Sequence, residues 1–136
     1  MTLELGGSDP MIICGDADLS AAASAASMGR FYNCGQACLA IKRVYVFDSV
    51  ADEVVESIVE KAKRLKVGRG DAKGTQMGPM HTAAGREELS SQMTRTLNAG
   101  GELRSKLRPT AAKRRRAAFL NRFLMSDCFP LRRASK

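Results

Sequence analysis

The sequence predicts an α/β protein: part of a doubly wound parallel sheet in the order β-α-β-α, followed by an irregular basic tail. Three observations carry this reading. Short β-branched or apolar runs alternate with helical stretches, the grammar of parallel strands joined by crossover helices. Met11-Ile12-Ile13-Cys14 is an unbroken apolar run between turn signals, as expected of a strand covered on both faces. The grammar then stops at Gly101.

Each element has a local reason. Residues 3–5 read as the end of a short strand running into Gly6-Gly7. Ser8-Asp9-Pro10 reads as a turn, because a residue before proline is pushed out of the helical region. After the buried run, Gly15-Asp16-Ala17-Asp18 brings turn and cap chemistry, with Asp16 or Asp18 as N-cap. A helix over Leu19 to Tyr32 follows, rich in Ala and Ser. Ala22, Ala26 and Gly29 would let it lie close to a sheet. Asn33 to Ala37 is a loop, and Val44 to Phe47 a β-branched and aromatic strand. Ser49 is expected to cap a second helix, with Asp52 at its third position. Its apolar stripe runs Val50, Val54, Ile58, Ala62, Leu65, widened by Val55 and Val59. Gly68 and Gly70 end it. Residues 71–80 form a Gly/Pro loop. A third, amphipathic helix covers Thr82 to Leu97 and closes at Gly100-Gly101.

A chain of 136 residues is long enough for one domain with a real core. Tryptophan is absent and aromatics are few, so the core rests on Ala, Val, Ile, Leu and Met. No apolar run approaches a membrane span, and no secretory leader pattern opens the chain, so a cytoplasmic protein is expected. Cys14, Cys34, Cys38 and Cys128 show no paired spacing, and His81 is the only histidine. Reduced thiols and no metal site follow.

The net charge of +8 is an average of two unlike parts. Residues 104–136 carry 11 Lys/Arg against one acid, Asp127, while residues 1–103 carry 11 against 13 acids. Any argument for nucleic acid would concern the tail alone, and nucleic acid is not the expected partner of the whole chain. One partial domain over 1–103 and a basic, poorly ordered tail over 104–136 are therefore expected.

The chemistry gathers in two segments. Leu3-Glu4-Leu5-Gly6-Gly7 offers a carboxylate beside two glycines. Asn33-Cys34-Gly35-Gln36-Ala37-Cys38 offers a thiol in a turn, 34 positions later. A thiol nucleophile and a carboxylate base on neighbouring backbone are what thioester chemistry requires. Alone, Cys38 would read as a small buried hydrophobe and Glu4 as a solvated carboxylate.

Together the segments resemble the active site of the aldehyde dehydrogenase superfamily. Phe31-x-x-x-Gly35-Gln36-Ala37-Cys38-Leu39-Ala40 is similar to its cysteine motif, and Leu3 to Gly7 to its glutamate motif. Ser8 stands where many members have lysine, and Ser8-Asp9-Pro10 resembles one branch. Asp16-Ala17-Asp18-Leu19 and Met77-Gly78-Pro79 match further motifs, so the resemblance covers about residues 2–103. It implies Cys38 as nucleophile, Glu4 as base and Leu5 as a cofactor contact. It also implies NAD or NADP as acceptor and a small-molecule aldehyde as substrate. Full-length members form homo-oligomers. The same resemblance reads the chain as a fragment of the catalytic domain, inactive alone because no G-x-G-x-x-G unit or other cofactor-binding half precedes Glu4.

Other residues have two readings each. Cys34 is a redox partner of Cys38 or a packing residue beside the turn, the latter favoured. Asn33 donates to the site or serves the turn. His81, at a helix start, reads as structural. Arg114-Arg115-Arg116 binds phosphate or is a solvated run. The strand expected after Gly101 does not arrive in the sequence pattern, which suggests that residues 104–136 are a frameshifted reading of the gene. The alternative is a non-catalytic remnant whose tail binds nucleic acid or another polyanion.

Overall fold

A computed structural model of the chain describes residues 1–107, 122–125 and 132–134. The elements run β1 (Asp9–Ile13), α1 (Leu19–Phe31), β2 (Ile41–Phe47), α2 (Ala51–Lys63), α3 (Ala83–Asn98), β3 (Leu103–Leu107), β4 (Arg122–Met125) and β5 (Arg132–Ala134). One sheet has the order β1-β2-β5, with both pairings parallel; β3 and β4 form a separate antiparallel pair. The unit β1-α1-β2 is thus a parallel crossover, and α2 and α3 extend it to the expected β-α-β-α order.

The first strand differs from its sequence reading in two ways. Asp9 and Pro10 belong to β1 rather than to a turn. Pro10 lacks an amide hydrogen, which a strand tolerates at its start and on an edge; the ladder shifts register there, between Asp9 and Pro10. Nor is the strand buried on both faces. Ile13 is buried, whereas Ile12 is 68% exposed. The paired register puts Met11 beside Val44 and Ile13 beside Val46, with Ile12 beside Tyr45 on the opposite face. Side chains alternate along a strand, and here one face carries the core. Cys14 lies beyond the strand and is exposed, which corrects its placement in a buried run.

The core is the meeting of that face with two helices. Ile13, Val44 and Val46 cluster with Ala23 and Ala26 of α1 and with Ala51, Val54, Ile58 and Ala62 of α2. Small residues set the spacing: Ala23 and Ala26 are fully buried. At Gly29 the Ile41 side chain stands where a Cβ would be, so a larger residue would require Ile41 to move. Asp18 caps α1, accepting from the Ala21 amide at 2.9 Å.

The second helix starts differently from expectation. A 3-10 turn over Asp48–Val50 leads into α2, and no side chain caps it; the Ala51 amide is bonded to the Asp48 carbonyl instead. Backbone replaces the Ser49 hydroxyl, and Asp52 and Glu53 in the first turn still suit the helix dipole. The predicted stripe Val54, Ile58, Ala62 is the buried face. Thr82 caps α3, accepting from Gly85 N–H at 3.0 Å.

The backbone also places a strand, β3, from Leu103, where the sequence pattern shows none. The Arg114-Arg115-Arg116 run and Cys128 lie outside the described residues. Among the described residues, no helix is long and apolar enough to cross a membrane.

Candidate active site

The turn that presents Cys38 begins where α1 stops. A 3-10 turn over Tyr32–Gly35 follows Phe31, and three successive residues have positive φ: Asn33 at 44°, Cys34 at 62° and Gly35 at 74°. Asn and Gly adopt this left-handed region readily. Cys34 does so against its Cβ, a local cost held by the surrounding packing. The Cys34 side chain is buried in the core cluster. At Gly35 a Cβ would run into the Arg30 side chain and backbone, so the residue is fixed as glycine by φ and by space together.

Gln36 ties this turn at both ends of its amide. Nε2 donates to the Asn33 carbonyl at 3.0 Å, and the Gln36 backbone N–H donates to the same oxygen at 3.1 Å. Oε1 accepts from the backbone N–H of His81 at 2.8 Å. Asn33 thus serves the turn. His81 acts through its backbone, and its exposed side chain takes no part in that contact. The loop that carries His81 is anchored in turn by buried Val67 and Met77, which form a short parallel bridge.

The glutamate segment is held against the same turn by the start of β2. Arg43 donates from Nη2 at 2.7 Å and from Nε at 3.2 Å to the Ser8 carbonyl. Gly7 lies directly on the turn: a Cβ there would collide with the carbonyl of Cys38. Lys42, the neighbour of Arg43, reaches the other way. Its Nζ donates to the carbonyls of Ala37 at 3.2 Å and Cys38 at 3.3 Å.

These contacts leave a cleft of about 560 Å³ lined by Glu4, Leu5, Gly6, Gly7, Gly35, Gln36, Ala37, Cys38 and Lys42. All three site residues expected from sequence line it. Cys38 and Glu4 are exposed, and Leu5 is 70% exposed. Leu3 to Leu5 carry no regular secondary structure, where a strand was expected.

Sequence reasoning missed Lys42 and the reach of Gln36. Strand parity gave no signal for Lys42: the β1–β2 ladder passes from Ile41 to Arg43 without it, and Ile41 packs against Gly29 of α1. Gln36 gave no signal either, because its partner His81 lies 45 residues away.

Comparison with known proteins points one way. Residues 1–134 match the family model described as "Aldehyde dehydrogenase family". The chain is 43% identical over 102 residues to succinate-semialdehyde dehydrogenase [NADP(+)] of Mycobacterium avium, covering 75% of this chain and 22% of that protein. It is 42% identical over 100 residues to a probable betaine aldehyde dehydrogenase of Schizosaccharomyces pombe, covering 74% and 20%. Among solved structures, betaine aldehyde dehydrogenase of Staphylococcus aureus in complex with NAD+ superimposes with a TM-score of 0.83 at 29% identity, over 90% of this chain and 24% of that one. Glyceraldehyde-3-phosphate dehydrogenase GapN of Methanocaldococcus jannaschii, complexed with NADP, gives 0.80 at 31%, over 90% and 25%. The chain therefore spans about a fifth to a quarter of the length of these relatives.

Proposed function

Because this chain belongs to the aldehyde dehydrogenase family, we propose that its cleft carries the acyl-transfer half of NAD(P)-dependent aldehyde oxidation, with Cys38 as nucleophile and Glu4 as base. The observation that carries the reading is that Glu4 and Cys38 line one cleft, with Gly7 packed on the Cys38 carbonyl.

The Cys38 sulfur attacks the aldehyde carbon; a C–S bond forms and the carbonyl oxygen takes the electron pair as an oxyanion. The backbone N–H of Cys38 donates to that oxyanion. A nicotinamide, its ring held by Leu5, would supply the acceptor for the hydride that leaves the former aldehyde carbon. What remains on Cys38 is a thioester. Glu4 takes a proton from water, the hydroxide adds to the thioester carbon, and loss of the thiolate releases a carboxylate and restores Cys38. Glu4 is exposed, so water reaches it directly.

The residues present fit the ring end of such a cofactor. Leu5 offers an exposed apolar side chain beside the bare backbone of Gly6 and Gly7. A flat aromatic ring packs well on such a surface. Leu5 would therefore hold the ring and leave Glu4 free for water. Substrates of the relatives include succinate semialdehyde and betaine aldehyde by name; for this chain the proposal extends to the aldehyde class.

Acyl transfer needs no cofactor, so an activated ester isolates the cleft chemistry. The purified chain treated with p-nitrophenyl acetate is expected to acetylate on the Cys38 peptide, and Cys38→Ser to abolish this. Glu4→Gln should let the acyl-enzyme accumulate, with its hydrolysis slowed by about 10²-fold or more. Acetylation at Cys14 in preference to Cys38, or unchanged turnover in Cys38→Ser, would overturn the reading.

A further inference from the structure

Lys42 holds both peptide groups that flank the Cys38 Cα. Its Nζ lies 3.2 Å from the Ala37 oxygen and 3.3 Å from the Cys38 oxygen. The peptide unit is planar and trans, so the Ala37 carbonyl and the Cys38 N–H lie in one plane and point in opposite directions. An ammonium that fixes the carbonyl therefore also fixes the direction of the N–H. The backbone N–H of Ala40 donates to the same Ala37 oxygen at 3.1 Å, which adds a second restraint. On the other side of Cys38, Gly7 lies against the carbonyl that Lys42 also binds, so that peptide cannot turn freely. Charge-assisted hydrogen bonds are stronger than neutral ones, and a hydrogen bond accepted at one end of an amide polarises the donor at the other.

We propose that Lys42 is a positioning residue, which aims and polarises the Cys38 N–H as the oxyanion donor of the cleft. The inference rests on the acyl-transfer reading above and deepens it. Lys42 itself makes no bond with substrate. It acts through the Ala37–Cys38 peptide, and it is half-buried on the strand position beside that turn.

The test compares two reactions of one thiol. Acetylation of Cys38 by p-nitrophenyl acetate develops an oxyanion. Alkylation by iodoacetamide does not. Both depend equally on the fraction of thiolate, so their ratio at one pH cancels that term. In Lys42→Met the ratio of acetylation to alkylation is expected to fall about tenfold, a part of the roughly 10²–10³-fold cost of losing a whole oxyanion donor. Lys42→Arg, which retains a cationic donor, should recover most of it. If Lys42 only favoured the thiolate, both rates would fall together and the ratio would hold, which would overturn the proposal.

A second readout is independent of turnover. The Cys38 amide resonance in a ¹⁵N–¹H spectrum should move in Lys42→Met and return in Lys42→Arg, while Cys34 stays protected from alkylation as a control for folding. An unmoved Cys38 resonance sinks the inference even if the chain acetylates. Absence of Cys38-dependent acetylation in the unaltered chain would instead defeat the acyl-transfer reading, and the resonance would still decide whether Lys42 sets that peptide.

Discussion

Gly7 has no side chain because the carbonyl of Cys38 occupies the place where one would begin. Gly7→Ala is therefore expected to separate the glutamate segment from the nucleophile turn. Overpacking of this kind costs about 1–3 kcal/mol, read as a lower denaturant midpoint, and acetylation at Cys38 should fall with it. Gly6→Ala is the control, since nothing lies within 4 Å of the position its Cβ would take. The described thiols make a second case at this scale. Cys34 is buried, while Cys14 and Cys38 are exposed. Under limiting iodoacetamide, peptide mass spectrometry should find Cys34 labelled last; Cys34 reacting before the other two would mean that the turn opens. Cys38 stands out in the sequence because glycine, glutamine and alanine precede it in order, and the structure places it on the cleft. The exposure of Cys14 was not legible, because four apolar letters in a row do not say which of them a helix covers.

The helices were the most legible elements, and for a physical reason. Their caps and stripes are local. Asp18 caps α1, one of the two positions the cap rule offered, and Val54, Ile58 and Ala62 recur at helical spacing on the buried face, while Thr82, read as the first helical residue, is the cap of α3. Truncating that face tests its weight: Ile58→Ala, at a residue 3% exposed, should cost about 2–5 kcal/mol in urea unfolding. A loss near zero would show that α2 is not packed on β2 and α1. Strand limits were less legible, because a strand is defined by its partner. Asp9 and Pro10 read as a turn in isolation, yet β2 recruits them into the ladder. Ile41 to Arg43 were missed as strand for the same reason, although the pairing of Ile41 and Arg43 with β1 brings Lys42 and Arg43 to the site. Ser49 failed as a cap because a 3-10 turn satisfied the first amide with backbone.

At the scale of the whole molecule, two kinds of information divide the chain at different places. The curated relatives align over 102 or 100 residues, about three quarters of it, whereas the family model runs from residue 1 to 134. The backbone continues into β3 after Gly101, although the sequence from Arg104 loses its period and turns strongly basic. Strand formation needs only main-chain partners, so it constrains side-chain identity weakly; a helix stripe or a catalytic motif constrains it tightly. We propose that a shift of reading frame past residue 103 underlies the abrupt change of charge. The coding DNA is the check, and the expected outcome is that one shifted frame beyond that codon restores sequence resembling the family. If neither alternative frame does so, the frameshift account fails, and the 11 Lys/Arg of residues 104–136 must be treated as a binding surface. Its signature would then be affinity for a polyanion such as heparin or duplex DNA that falls steeply with salt, by a logarithmic slope of about −0.9 for each phosphate neutralised on duplex DNA.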